Sequence, residues 1–247
     1  NRIIKHPLYD FDDLHFGQNK YIQVNQENDF KSKTQSERLF FNTESKSSKS
    51  KNKISIDYKT AIDRLGMNLT YEFECHRIKN EFEVNDPENY VFEVDNPDKV
   101  NKNKNIKVVA EVFRWLEDNG VYSSYPGFDI LTINPETEKA DRLIELKSSG
   151  NDIRTSGITW NEWKTAGNKI LQDKYYLYIV ANLRKDINSD PYLKVMHNPF
   201  MLLNSETNKK QNIQKQIKLK LNSFKSDSKI QKIDISFSKN NEVKNNE

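Results

Sequence analysis

Alternating apolar and polar positions mark two neighbouring strands in the middle of the chain. Residues 128–133 and residues 141–147 both alternate and are rich in β-branched and aromatic types, which favours strands. The polar segment between them is typical of a turn, so the two strands are predicted to form a hairpin. Because side chains alternate faces along a strand, Glu145 and Lys147 are expected on one face and Ile144 on the other.

Apolar residues spaced by three and four positions predict helices before and after this hairpin. One helical pattern covers residues 54–82 and a second covers residues 108–119. A third helix is expected over residues 159–172, because its start has the Thr-x-x-Glu form of a capping box. Its three large apolar side chains are predicted to pack on the sheet: Trp160, Trp163 and Ile170.

Further strands are predicted on both sides of that third helix. Residues 175–182 form an apolar run typical of a strand that is buried on both faces, and residues 192–196 form another strand. Residues 121–125 are expected to form a short edge strand, and residues 201–203 to close the core. The resulting prediction is an α/β fold with a mixed sheet flanked by helices.

The chain is predicted to have three parts. Residues 1–53 comprise an irregular N-terminal segment and a flexible linker rich in Ser and Lys, and residues 54–203 comprise the folded domain. Residues 204–247 comprise a basic extension rich in Lys and Asn. Within this extension the alternating stretches 217–221 and 233–237 are edge strands or part of a basic arm, and residues 239–247 are expected to be disordered.

Composition excludes several classes of protein. The single cysteine, Cys75, excludes a disulfide framework within the chain, and no apolar stretch is long enough for a signal peptide or a membrane span. A reducing, cytoplasmic location without a membrane partner is therefore expected. No zinc-type Cys/His spacing, phosphate-binding loop or dinucleotide-type glycine repeat occurs. The chain starts at Asn1, which suggests a piece of a longer protein with other domains.

The hairpin carries the candidate chemistry. Asp129 shares a strand face with Leu131, so Asp129, Glu145 and Lys147 converge if the two polar faces coincide. Mg²⁺ prefers carboxylate oxygens, keeps several waters and acidifies one of them. Two carboxylates beside an ammonium group therefore suit phosphodiester hydrolysis. A cross-strand ion pair on a wet face would explain the same residues without any metal.

Several further motifs resemble one family when they are taken in order. The chain resembles the NO VEIN C-terminal domain family over roughly residues 60–203. The resemblance rests on five segments, which are Gly127-Phe128-Asp129-Ile130, Leu143-Ile144-Glu145-Leu146-Lys147-Ser148, Ile158-Thr159-Trp160-Asn161-Glu162-Trp163 with Ala166, Tyr175-Tyr176-Leu177-Tyr178-Ile179-Val180-Ala181-Asn182, and Met196-His197-Asn198-Pro199. Phe128 stands where Tyr is commoner in the family.

That family is similar to the PD-(D/E)xK phosphodiesterases, which have the restriction-endonuclease-like fold. The resemblance implies that Asp129 and Glu145 are metal carboxylates and that Lys147 is the motif lysine. It also implies that the Leu146 carbonyl is an additional metal ligand. Mg²⁺, with Mn²⁺ as an alternative, is the implied cofactor.

A glutamate on the first helix is also implied by the resemblance. Glu74 matches the position at which such nucleases often complete the metal or water shell, and Glu72 is the alternative if the register differs. The path from this helix to the hairpin is longer than in the family. Residues 108–119 could therefore be the equivalent helix, in which case Glu111 replaces Glu74.

The expected substrate is DNA. The net charge is only +3, but lysines are concentrated at residues 46–53, 99–107 and 209–232, where they can follow phosphates. Arg154, Asn161 and Lys164 are predicted DNA contacts.

The sequence thus predicts the Mg²⁺-dependent endonuclease domain of a larger restriction or anti-phage defence protein. A homodimer of such domains would cut both strands. An inactive module of the same fold that binds nucleic acid or a partner protein is the alternative.

Overall fold

The protein has a mixed α/β fold in which a seven-stranded sheet, mostly antiparallel, carries helices on both faces. The computed structural model describes residues 8–9, 14–24, 49–94, 106–122, 125–206, 216–224 and 228–237. The strands are β1 (Leu14–Val24), β2 (Val91–Glu93), β3 (Ile130–Ile133), β4 (Ala140–Ser148), β5 (Thr155–Thr159), β6 (Tyr175–Ala181), β7 (Tyr192–His197), β8 (Leu203–Glu206), β9 (Gln216–Phe224) and β10 (Ser228–Phe237). The helices are α1 (Lys49–Phe82), α2 (Ile106–Asp118), α3 (Trp160–Ala166) and α4 (Pro199–Leu202).

Strand order places the predicted hairpin inside the large sheet. The order is β1-β10-β7-β6-β4-β3-β2, and a second sheet has the order β5-β9-β8. β3 and β4 pair antiparallel, with Ile130 opposite Ile144 and Leu131 opposite Leu143. β4 and β6 are parallel and are joined through α3, which agrees with the prediction of a mixed sheet.

One face of the large sheet is covered by α1. Leu69, Phe73 and Ile78 of this helix are buried against apolar side chains of β3, β4 and β6. Gly66 lets α1 approach the end of β4, because a Cβ there would lie 2.5 Å from the Ser148 Cβ. The helix ends at Phe82, as predicted, but begins at Lys49, so residues 49–53 of the predicted linker are helical.

The opposite face is covered by α2, α3 and the small sheet. Val109, Val112 and Leu116 of α2 pack with Leu131 and other residues of β3, β4 and β6. Buried apolar side chains from β5 and β9 join the same core. Each face of the sheet therefore has its own apolar core, and β6 contributes side chains to both.

The third predicted helix is shorter than its sequence pattern indicated. α3 ends at Ala166 rather than Gln172, and the Gly167 amide donates to the Trp163 carbonyl at 3.0 Å in its last turn. Only Trp163 is buried, whereas Trp160 is 60% exposed and Ile170 is 58% exposed. The prediction that all three pack on the sheet is wrong. Ile170 lies beyond the end of the helix, and Trp160 is exposed at its first position.

Three further local predictions are corrected. Residues 155–159 form β5, so Thr159, the predicted first residue of the third helix, is also the last residue of a strand. Residues 121–125 were predicted as a strand, but their described part forms an isolated bridge between Tyr122 and Tyr125. Met201 was predicted to close the core with its two neighbours, yet it is 58% exposed.

The terminal segments contribute strands to both sheets. β10 lies between β1 and β7 in the large sheet, and β9 lies between β5 and β8, so neither is an edge strand. Ile233 and Ile235 of β10 and Leu219 of β9 are buried. Within the segment predicted to be irregular, residues 14–24 form β1, and the predicted disorder of residues 239–247 lies outside the described residues.

None of the described helices is both long and apolar enough to cross a bilayer.

Candidate functional site

The segment that leads into β3 is held by three side chains. The carbonyls of three consecutive residues accept hydrogen bonds from α3 or β6. The donors and distances are Asn161 Nδ2 to Tyr125 O at 2.6 Å, Thr165 Oγ1 to Pro126 O at 3.1 Å, and Tyr175 Oη to Gly127 O at 2.7 Å. Because Asp129 follows two residues later, these bonds fix the point at which it enters the sheet.

Gly127 is required at this point by both its backbone and its surroundings. Its φ is +76°, a backbone conformation that is unfavourable for residues other than glycine. A Cβ at this position would lie 2.7 Å from Thr165 Oγ1 and 3.0 Å from the Asn161 carbonyl oxygen. The close approach to α3 is therefore possible only for glycine.

Asp129, Glu145 and Lys147 are brought together on one face of the hairpin. Asp129 Oδ2 accepts from the Leu146 amide at 2.7 Å, which places this carboxylate beside the peptide that follows Glu145. Glu145 of β4 lies opposite Leu177 of β6 in the parallel pair. The Lys147 ammonium donates a hydrogen bond to the Glu145 carboxylate. Backbone groups of one strand residue point to the same side, so the Leu146 carbonyl lies on the Asp129 side of β4.

Glu162 is a fourth member of this cluster that sequence analysis did not assign to it. Its Oε2 accepts from Lys147 Nζ at 3.2 Å and from the Thr159 amide at 2.9 Å. The Thr159 hydroxyl accepts in turn from the Glu162 amide, completing the predicted capping box. The capping motif was the available signal, but it does not show that the same carboxylate contacts β4.

The cluster is mostly buried, and Glu145 is its least exposed member. Glu145 is 2% exposed, whereas the side chains of Lys147 and Glu162 are 18% and 17% exposed. Asp129 is half-buried. Parts of Asp129, Lys147 and Glu162 are therefore open to solvent, whereas the Glu145 carboxylate is covered.

Burial and like charge shift the pKa values in this cluster. Burial, followed by repulsion from Asp129, raises the pKa of Glu145 well above its usual range. Burial by itself would lower the pKa of Lys147, but Glu145 and Glu162 raise it above its ordinary value. Burial also opposes ionisation of Glu162, yet Lys147 and the Thr159 amide lower its pKa. The ionised cluster has three carboxylates and one ammonium group.

The donor set fits a hard cation that retains its own waters. Among the described residues, no three Asp, Glu, His or Cys side chains are arranged to hold a metal ion by themselves. Mg²⁺ is commonly bound through one or two carboxylates and several waters, so Asp129 and Glu145 with the Leu146 carbonyl suffice. The excess negative charge of the ionised cluster favours a cation at this position.

Glu74 is not part of this cluster, which corrects its predicted position. It lies on the α1 face of the sheet, whereas Glu145 lies on the face covered by α2 and α3. Its fully buried carboxylate accepts from Arg77 Nε at 2.8 Å, Arg142 Nη1 at 3.2 Å and Tyr178 Oη at 2.5 Å. The sequence pattern gave the helix but not which face of the sheet the helix covers.

The two alternative glutamates are also placed away from the cluster. Glu72 is exposed on α1, which covers the other face of the sheet. Glu111 belongs to α2 but is exposed, while Val109 and Val112 of that helix face the core.

The predicted DNA contacts have different surroundings. Lys164 is exposed on α3. Arg154 is also exposed and lies 3.9 Å from Asp152. The Asn161 amide is bound to the Tyr125 carbonyl, so this side chain has a structural role in holding the segment before Asp129.

Comparison with known families supports part of the resemblance found in the sequence. Residues 87–195 match the family model described as Protein NO VEIN, C-terminal. The matched stretch contains Asp129, Glu145, Lys147 and Glu162 but excludes α1 and Glu74. No curated protein and no solved structure matches this chain significantly.

Proposed function

We propose that the cluster on the β3–β4 hairpin is the phosphodiester-hydrolysing centre of a Mg²⁺-dependent DNA endonuclease domain of the PD-(D/E)xK type. The observation that carries the proposal is the meeting of Asp129, Glu145 and Lys147 on one sheet face, with Asp129 bonded to the peptide between the other two. A mixed sheet with a parallel β4–β6 pair and helices on both faces supports the fold assignment.

Each residue of the cluster has a proposed role. Asp129 and Glu145, together with the Leu146 carbonyl, hold the ion. When bound, Mg²⁺ supplies an acidified water and charge compensation for a phosphoryl oxygen. Lys147 donates to the attacking water or to the phosphate, and its ammonium is held in place by Glu145 and Glu162.

Glu162 is proposed to be a positioning residue. Its carboxylate is fixed by the backbone at the start of α3, so it holds the Lys147 ammonium at 3.2 Å with little freedom. Loss of this contact would leave Lys147 paired with Glu145 alone. That arrangement would compete with the binding of a cation by Glu145.

The proposed biological setting is a cytoplasmic restriction or anti-phage defence protein that carries further domains. The resemblance to the nuclease family supports this setting by association, not through the chemistry of the site.

The proposal is tested with the purified full chain and supercoiled plasmid in Mg²⁺, in Mn²⁺ and in EDTA. Nicking should require the metal and should fall about 100-fold or more in Asp129→Asn, Glu145→Gln and Lys147→Ala. Glu138→Gln and Lys139→Ala are matched controls, because both residues are exposed in the turn of the same hairpin. Nicking that is equally fast in Lys147→Ala and in the parent would disprove the mechanism.

One observation favours a second candidate, a nuclease-like module that binds DNA or a partner without cutting it. Lys147 contacts both Glu145 and Glu162, so the charges are partly neutralised without a metal. Such a module would bind DNA in a salt-dependent manner but would show no affinity for Mg²⁺ or Mn²⁺.

A further inference from the structure

Exposed aromatic side chains are concentrated in the two segments that frame the candidate site. Among the described residues, the largely exposed aromatic side chains are Tyr125 at 76%, Tyr122 at 69% and Trp160 at 60%. Tyr122 and Tyr125 precede Asp129 in the chain, and Trp160 lies two residues before Glu162. Large aromatic surfaces left in water are unfavourable for folding and often mark binding sites.

Hydrogen bonds bring these two segments together. The Tyr125 carbonyl accepts from Asn161, which directly follows Trp160, and the Tyr125 amide donates to the Tyr122 carbonyl at 3.0 Å. The first turn of α3 also carries Glu162, whose carboxylate contacts Lys147. The exposed aromatics are thus attached to the same backbone segments that build the cluster.

Trp160 differs from its neighbour Trp163 in a way that indicates binding rather than packing. Trp163 is buried, with its ring centroid 4.9 Å from that of Phe200. Trp160 begins α3, where its indole extends into solvent. The core on this face is therefore complete without Trp160.

Basic side chains flank the exposed aromatics. Lys164 is exposed one helical turn after Trp160 on α3. Lys218 and Lys220 of β9 lie opposite Gly157 and Thr155 of β5, and they alternate with the buried Ile217 and Leu219, so they are on the outer face of the small sheet. β5 leads directly into Trp160. This surface therefore combines aromatic faces with positive charge.

We propose that the substrate of the candidate site is an unpaired DNA strand, with Trp160 and Tyr125 stacking on bases next to the phosphate at the Asp129 cluster. This inference rests on the proposed function. Stacking on aromatic side chains together with lysine contacts to phosphates is the usual way of binding single strands. In an intact duplex the base faces are already stacked on each other, so they cannot cover these rings.

Binding is tested with the full chain and a fluorescent oligo-dT strand in EDTA, so that no strand is cut. A duplex of the same length is the comparison. The single strand should bind at least about tenfold more tightly, and Trp160→Ala should weaken its binding about 5- to 140-fold. Tyr125→Ala should weaken single-strand binding similarly, because it also removes one stacking ring. The change retains the backbone carbonyl that accepts from Asn161, so the segment should stay in place.

Two control variants distinguish base stacking on an aromatic ring from a general effect of removing an exposed apolar side chain. Trp160→Phe keeps an aromatic face, so most of the affinity should return. Ile170→Ala removes an apolar side chain of similar exposure, at 58%, and should leave binding unchanged. Equal affinity for the duplex, or unchanged strand binding in Trp160→Ala, would overturn the inference. Self-association of the chain that Trp160→Ala abolishes, with strand binding intact, would overturn it in favour of a contact between copies.

The outcome for hydrolysis is read separately in Mg²⁺, as nicking of the plasmid and as cutting of the same oligo-dT strand. Cleavage that depends on Asp129, with strand binding that does not depend on Trp160, would leave the proposed function standing and reject this inference. Strand binding that depends on Trp160, without cleavage of either substrate that depends on Asp129, would reject hydrolysis and retain strand binding.

Discussion

Replacing Glu74 by glutamine should destabilise the fold without altering the chemistry at Asp129 and Glu145. The Glu74 carboxylate is fully buried and receives bonds from Arg77, Arg142 and a tyrosine. Glutamine has nearly the same shape but no charge. The variant would therefore leave two largely buried guanidinium groups without their shared counter-ion.

The expected magnitude follows from these contacts. Removing one partner of a buried ion pair costs about 3–5 kcal/mol. Arg77 retains Asp141 at 2.6 Å and Glu81 at 2.7 Å, so the lower end is expected. A loss of about 3 kcal/mol corresponds to a fall in Tm of about 6–12 °C for a domain of this size.

Thermal and urea unfolding of Glu74→Gln measure this loss, and Glu72→Gln is the matched control. Glu72 lies on the same helix but is exposed, so its replacement should change the free energy of unfolding by less than about 0.5 kcal/mol. Below the unfolding transition, nicking per folded molecule should be the same in Glu74→Gln and the parent. Unchanged stability together with lost nicking would refute the structural role and restore Glu74 to the catalytic site.

Two further predictions concern the candidate site. Because burial and Asp129 raise the folded-state pKa of Glu145 above its ordinary value of 4.5, its ionisation opposes folding as the pH rises through that shifted value. The unfolding free energy of Glu145→Gln relative to the parent should therefore increase as the pH rises above 4.5, and a difference that shrinks would contradict this sign. Gly127→Ala should cost at least about 2 kcal/mol by urea unfolding, because strain at positive φ and contact with Thr165 add together. Gly120→Ala, which has a similar φ of +82° but open space around it, should cost only about 1 kcal/mol, and equal losses would show that crowding at Gly127 is absent.

Local periodicity was sufficient to predict the elements on which the site is built. The two-residue period around Glu145 and Lys147 gave the strand, its faces and the hairpin partner. The strand β6 was also predicted correctly. Both of its faces are covered, so its sequence is a continuous apolar run rather than an alternating one. These patterns depend on side-chain alternation within a single segment, which the sequence displays directly.

Features that depend on contacts between distant segments could not be predicted. The pattern of α1 defines an apolar stripe but not which sheet face receives it, so Glu74 was placed with the wrong partners. Glu162 was identified as a capping residue, although its second contact, with Lys147, depends on where α3 crosses β4. Alternation in the C-terminal segment indicated possible strands, but it did not show that they pair on both sides and bury residues such as Ile233 and Ile235.

Calorimetric titration of Mn²⁺ and Mg²⁺ into the full chain tests the central claim, which is that Asp129 and Glu145 share one cation. One binding site per chain is predicted, with affinity lost in Asp129→Asn and in Glu145→Gln but retained in Glu138→Gln. Absence of binding, or binding that survives both site substitutions, would contradict the account.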